Sequence, residues 1–187
     1  INYTCDSNLA YRPEFISNDY QNGKKVLSSL EYELLHCDAF SISVAFIKMS
    51  GIEPLLQIFK QLENRGVPGR ILTTDYLTFS EPEAFDKLNS LNNIKLKMYQ
   101  TEGQRDGFHT KGYIFKDGKI YRIIVGSSNL TSSAITINQE WNTKLVSSEE
   151  GSIAKDIVSE FDRLWNSDRA LDYNEFIADY RVRYKIK

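Results

Sequence analysis

From Tyr20 to Tyr99 the apolar residues switch repeatedly between helical and extended spacing, and this alternation limits the chain to a sheet covered by helices. Val26, Leu27, Leu30, Leu34 and Leu35 recur at helical intervals up to Cys37. Ala39 to Phe46 is a run of apolar and β-branched residues that reads as a buried strand. Ser50 and Glu53 have capping-box spacing, and Ile52, Leu55, Leu56, Phe59 and Leu62 follow on one helical face. Gly66 stands where that helix should end. Arg70 to Thr74 is the next strand. Ser80 and Glu83 repeat the capping signal ahead of Phe85, Leu88 and Leu91, and Ile94 to Tyr99 alternates as a strand. Strands separated by helices pair in parallel through right-handed crossovers.

After Tyr99 the pattern changes. Gly112 to Phe115 and Lys119 to Val125 are apolar-rich runs joined by Asp117-Gly118, a strong hairpin signal. A short helix is expected over Asn129 to Ile135 and a strand over Gln139 to Val146. Ile153, Ile157, Val158, Phe161, Leu164 and Trp165 mark an amphipathic helix, and Tyr173 to Lys187 is amphipathic and basic at its end. The stretch up to Asn18 reads as irregular. A length of 187 residues suits a single domain, expected to span residues 1–187. The expected fold class is α/β: a mixed, mostly parallel β-sheet with helices on both faces.

Composition excludes several classes of function. The net charge of −2 gives no global field for nucleic acid, so any phosphate-binding surface must be local. No apolar run is long enough to span a membrane, and the polar start Ile1-Asn2-Tyr3-Thr4-Cys5 is no export signal. The absent initiator Met suggests a processed or trimmed chain. Cys5 and Cys37 form neither a CxxC motif nor a disulfide framework, so a cytoplasmic location is expected. His36 and His109 are too few for most dense metal sites, and no cofactor is called for.

One constellation carries chemistry. His109 and Lys111 are two residues apart, which on a strand puts both side chains on one side. An imidazole can attack phosphorus or carry protons beside a permanent cation. Gly126-Ser127-Ser128-Asn129 ends an apolar run before a short helix, a place where backbone N–H groups favour anions. Glu140 is an acid between Gln139 and Trp141 on a half-buried strand, suited to hold an imidazole N–H. The set makes a phosphate pocket with a nucleophile in it.

From Phe108 to Trp141 the chain resembles the phospholipase D superfamily, whose signature is His-x-Lys, an Asp further on, Gly-Ser-x-Asn and a later Glu. His109-Thr110-Lys111, Gly126 to Asn129 and Glu140 match. At the position usual for the Asp the chain has Lys116, with Asp117 one residue later, and the halves of the motif lie about three residues further apart than usual. The Asp117-Gly118 hairpin absorbs that insertion. The resemblance is to the single-motif nuclease domains found in metal-independent restriction endonucleases and at the N-terminus of bacterial helicase-like proteins. It implies a metal-independent phosphodiesterase that hydrolyses DNA through a phosphohistidine. Since the superfamily uses two His-Lys motifs per site and this chain has one, it also implies a homodimer sharing one site. The implied catalytic residues are His109, Lys111, Asn129 and Glu140, with Glu140 orienting His109. Ser127, Ser128, Lys116 and Arg105 are expected on the substrate. Two facing histidines, one neutral and one protonated, predict a bell-shaped pH–rate profile. The alternative reading is a non-cleaving nucleic-acid-binding module of a larger helicase or restriction protein. A lipid substrate is disfavoured because no exposed apolar helix or lipidation motif accompanies the site.

Local charge points to a polyanion. From Lys95 to Arg122 seven basic residues face three acidic ones, and Arg181, Arg183, Lys185 and Lys187 follow at the end. The loop from Thr101 to Gly107 reads as a mobile flap before His109, and Tyr99, Tyr113 and Tyr121 are candidates to stack on bases.

Overall fold

The structure, a computed structural model, describes residues 11–186; Cys5 and Lys187 lie outside the described residues. One eight-stranded mixed sheet runs through it in the order β1-β7-β6-β5-β2-β3-β4-β8. The strands are β1 (Glu14–Ile16), β2 (Ala39–Val44), β3 (Gly69–Thr74), β4 (Ile94–Tyr99), β5 (Lys111–Asp117), β6 (Ile120–Gly126), β7 (Asn142–Ser148) and β8 (Ala170–Asp172). The helices are α1 (Val26–His36), α2 (Met49–Ile52), α3 (Leu56–Asn64), α4 (Pro82–Asn89), α5 (Ser132–Thr136), α6 (Ser152–Trp165) and α7 (Tyr173–Ile186).

The α/β class and helices on both faces are as expected, but the sheet is not mostly parallel. Only β2–β3 and β3–β4 pair in parallel. The other five pairings are antiparallel, so the helix-linked crossovers govern only the middle of the sheet. Beyond Tyr99 the chain uses a hairpin and short returns, which can close only antiparallel ladders. Among the described residues the irregular reading before Asn18 fails at Glu14–Ile16, which adds an edge strand to β7.

The two faces are unequal. On one, α1, α3, α4, α5 and α7 bury a large apolar core around Phe40, Ile42, Ile71, Met98, Tyr113 and Ile124. On the other, α6 alone packs Phe161, Leu164 and Trp165 over Leu72, Ile114 and Ile123. Period-two alternation along β5 explains the division, since Tyr113 and Phe115 enter the first core while Gly112 and Ile114 face α6.

Neither expected capping box forms. Lys48 and Glu81 occupy the N-cap positions, without side-chain caps. Ser80 Oγ instead accepts the Ile47 N–H at 3.0 Å, and the Glu81 carboxylate accepts the Met49 N–H at 2.7 Å. These residues bind neighbouring segments, a tertiary demand that outweighs local capping. Helix α1 starts at Val26, whose N–H donates to Asn18 Oδ1 at 2.9 Å from eight residues upstream. Gly66 does end α3, with a φ of +69°. Gly118, with φ +57°, and Lys119 form the two-residue turn of the β5–β6 hairpin.

Candidate active site

Because β5 runs antiparallel to β2, its first residue, Lys111, lies opposite Val44 at the end of β2. The carboxyl ends of β2, β3 and β4 therefore meet the start of β5 along one edge. Open α/β sheets bind ligands at such edges. His109 and Thr110 belong to the approach to β5 and not to the strand itself, and both are exposed. Phe108 is buried against Tyr99, with ring centroids 5.4 Å apart, and the Thr110 and Ser43 hydroxyls lie 2.5 Å apart. His109 is thus presented between two fixed neighbours. The half-buried Lys111 donates from Nζ to the His109 carbonyl at 3.0 Å. Burial lowers the Lys111 pKa, and the nearby Glu140 carboxylate partly opposes this.

Gly126 ends β6. A Cβ there would lie 2.2 Å from the Trp141 carbonyl, so only glycine permits this approach. The following residues are drawn into the framework. The Ser127 N–H donates to the Trp141 carbonyl at 3.1 Å, and the Trp141 N–H donates back to Ser127 Oγ at 3.1 Å. Ser127 Oγ in turn donates to the Glu140 carboxylate. Ser128 is fully buried. Its Oγ accepts from Asn142 Nδ2 at 2.9 Å, and its carbonyl accepts the Tyr113 hydroxyl at 2.9 Å. Asn129 Oδ1 accepts the Phe46 N–H at 3.1 Å, which holds the amide and leaves its NH₂ without a hydrogen bond among the described residues. The turn is also not a helix N-terminus, because α5 begins only at Ser132. Ser128 is therefore corrected from a substrate contact to a buried brace. The N–H groups of Ser127 and Leu130 are engaged by Trp141 and Phe46 carbonyls.

Glu140 is buried, as expected, but it precedes β7. Among the described residues its carboxylate bonds to Ser127, and no hydrogen bond joins it to His109. Its charge reaches both Lys111 and Tyr113; burial and this charge push the tyrosine hydroxyl far up, so it stays a neutral donor.

Other expected contacts lie elsewhere. Lys116 is five residues along β5 from Lys111, about 16 Å away at strand rise, with its ammonium 5.7 Å from the Tyr121 ring. Asp117 pairs with Arg122 at 2.7 Å and does not supply the missing motif Asp at the site. Arg105 is exposed on the loop before His109. That loop is tied down and not an open flap: Asp106 pairs with Arg169 at 2.9 Å, and Glu102 with Arg183 at 2.6 Å. Tyr99 and Tyr113 are buried, so neither is a stacking platform. Of the terminal cations, Arg181 pairs with Asp86, and Arg183 with Asp75, Asp179 and Glu102. Among the described residues no three His, Cys, Asp or Glu side chains gather as metal ligands, and no helix is long and apolar enough to cross a membrane.

Three positioning residues escaped the sequence reading. Asn18 Nδ2 donates to the Ala134 carbonyl at 2.8 Å and the Asn138 carbonyl at 2.9 Å, tying α5 and the Glu140 segment to α1. Asn142 braces Ser128. Asp75, at the end of β3, accepts the Thr101 N–H at 2.7 Å and its hydroxyl at 2.8 Å. Asp75 closes the strand run from Arg70 to Thr74, while Asn18 and Asn142 sit among polar neighbours and leave no local trace.

A parallel-centred sheet with His-x-Lys and Gly-Ser-x-Asn at its carboxyl edge defines a phospholipase D-like arrangement. The profile of the "Cardiolipin synthase, PLD-like domain" family matches residues 38–165, and the chain belongs to that phospholipase D-like family. No curated protein matches the sequence. Among solved structures, the chain is similar to Nuc of Salmonella typhimurium, described as a phospholipase D family member. The identity is 16 %, the TM-score 0.64, and coverage is 87 % of this chain and 99 % of that one. NucT from Helicobacter pylori aligns at 15 % identity and TM-score 0.67, with 87 % and 99 % covered. Yeast tyrosyl-DNA phosphodiesterase aligns at 18 % identity and TM-score 0.57, covering 92 % of this chain and 41 % of the other. These likenesses establish the shared fold.

Proposed function

We propose that the chain is a phosphodiesterase that hydrolyses DNA without a metal, at a site completed by a second copy of itself. The observation that carries this reading is the exposed His109, fixed on both sides, at one edge with the Lys111 ammonium and the anchored Asn129 amide. One His109 attacks phosphorus, and a P–N bond forms as the P–O bond to the leaving oxygen breaks. The partner's His109 gives that oxygen a proton. Water, losing its proton to the partner's His109, then attacks phosphorus and breaks the P–N bond. The products are an alcohol and a phosphate monoester. Lys111 and the Asn129 NH₂ hold the non-bridging oxygens. Ser127 acts behind them by holding Glu140, whose charge keeps Lys111 cationic.

The test is cleavage of plasmid and single-stranded DNA in EDTA by wild type and His109→Ala, with mass measured by sedimentation. Cleavage by a dimer, lost in the variant, is expected. Binding without cleavage would replace this reading with that of a targeting module in a larger protein. Full activity as a monomer would remove the shared site.

A further inference from the structure

A cavity of about 420 Å³ lies between the sheet and α6, within the usual size of small-ligand sites, about 300–1,000 Å³. Its floor is Gly112, Ile114 and Val125, and its roof is Ile157, Phe161 and Leu164. Thr110 and Lys111 line it too, so it opens beside His109. Residue 112 adds no side chain to its floor. Gly112 shares the face of Ile114, and a Cβ there would meet only Val125 Cγ1, at 3.9 Å. Its φ is not positive, so neither backbone nor packing demands a glycine. Gly126 differs, since its Cβ is forbidden by backbone. The open space at Gly112 is therefore room for something else.

The rim carries charge of both signs. Asp156 and Glu160 line it from α6, one helical turn apart. Glu160 is engaged by Arg163 at 2.7 and 2.8 Å, while Asp156 has no ion pair or hydrogen bond among the described residues. A ligand entering here places its anion by Lys111, its flat apolar part between sheet and helix, and an N–H donor by Asp156. An acyl chain offers no donor to that carboxylate. Bases with exocyclic amino groups do.

We infer that this cavity receives an amino-bearing nucleobase next to the phosphodiester bound at His109 and Lys111. The inference rests on the DNA reading above. Thymine presents an acceptor oxygen where cytosine presents its amino group, so Asp156 disfavours it.

The test is equilibrium binding in EDTA by the full chain in a His109→Ala background, with oligo-dC, oligo-dT and an abasic backbone of equal length. Oligo-dC should bind roughly 5- to 150-fold more tightly than the abasic strand, the span for burying one base. Gly112→Leu, which fills the cavity, should erase that difference and keep the melting temperature. Ile157→Trp fills it from the helix side and serves if Gly112→Leu fails to fold. Asp156→Asn should narrow the gap between oligo-dC and oligo-dT. Equal binding of all three strands, or a base preference that survives both filled variants, overturns the base site. Competition by dihexanoylphosphatidylcholine monomers with none by deoxycytidine monophosphate also overturns it and gives the cavity to an acyl chain. Cleavage by the His109-containing protein is read separately. Base preference without cleavage supports the base site and rejects the phosphodiesterase reading. Cleavage without base preference does the reverse.

Discussion

Tyr113→Phe isolates one buried hydrogen bond behind the site. The ring is 1 % exposed, and its hydroxyl donates to the Ser128 carbonyl at 2.9 Å. The substitution removes an oxygen and no carbon, so packing is nearly conserved and no cavity term enters. What changes is the Ser128 carbonyl, left without its donor in a fully buried residue. Losing one partner of a buried pair costs about 1–3 kcal/mol. Ser128 cannot swing to water, because its Oγ is held by Asn142 and the next residue by Phe46. For 187 residues the unfolding entropy is about 0.4 kcal/mol/K, so the melting temperature should fall by about 2.5–8 °C. The fall should be equal between about pH 6 and pH 9, since burial and Glu140 keep the phenol protonated throughout. Thermal unfolding followed by circular dichroism measures it. A fall below about 1 °C, with the transition still cooperative, would refute the account of Ser128 as a buried brace.

Glu140→Gln removes the charge that opposes the burial-lowered pKa of Lys111. The Lys111 ammonium should then lose its proton more readily, so its acylation by an amine reagent at a fixed alkaline pH should speed up, read by mass spectrometry, and an unchanged rate would dissociate the two residues. Burial pushes the Cys37 thiol up to about 11, so in a Cys5→Ser background it should react with iodoacetamide only as fast as the chain unfolds. The folded pKa lies above the unfolded one, so this contribution to stability is complete below about pH 9 and is lost as pH rises through about 11. Cys37→Ala should flatten that alkaline loss in urea titrations. Arg169 holds Asp106 and donates to the Gln100 carbonyl at 2.7 and 2.9 Å. Arg169→Ala should free the loop and speed tryptic cleavage after Arg105, read by mass spectrometry; an unchanged rate would show that Glu102–Arg183 suffices.

Most of the fold was legible because periodicity reports which face of an element is buried. Helices α1, α3, α4 and α6 and strands β2 to β6 lie where apolar spacing put them. Periodicity does not report strand direction, which depends on connections. Hence the parallel pairing seen before Tyr99 was extended too far. Edge strands β1 and β8, three residues each, are too short to show a period at all. The cap signals at Ser50 and Ser80 misled for another reason. A local motif competes with any tertiary partner for the same oxygen, and Ile47 won Ser80.

At the site the residue types were legible and their division of labour was not. Gly126 to Asn129 reads as a row of phosphate donors, yet a donor beside an anion and a donor inside a framework look alike in a sequence. The sheet decides between them. Gly126 brings the turn against Trp141, which places Ser127 on Glu140 and Ser128 on Asn142; of these side chains, Asn129 alone keeps a donor, its NH₂, with no hydrogen bond among the described residues. On the proposed mechanism one chain then offers a phosphodiester a single lysine cation and one amide. In-line attack also needs a proton donor on the far side of phosphorus from His109, where this chain brings no second histidine: His36 lies at the end of α1, with Nδ1 on the Tyr32 carbonyl at 2.6 Å. A two-fold partner supplies that donor, a second lysine and a second amide together. Mixing wild type with an excess of His109→Ala and allowing subunits to exchange should therefore suppress cleavage well below that of the wild-type chains alone, because most of them then share a site with one histidine; an undiminished rate would show that each chain works alone.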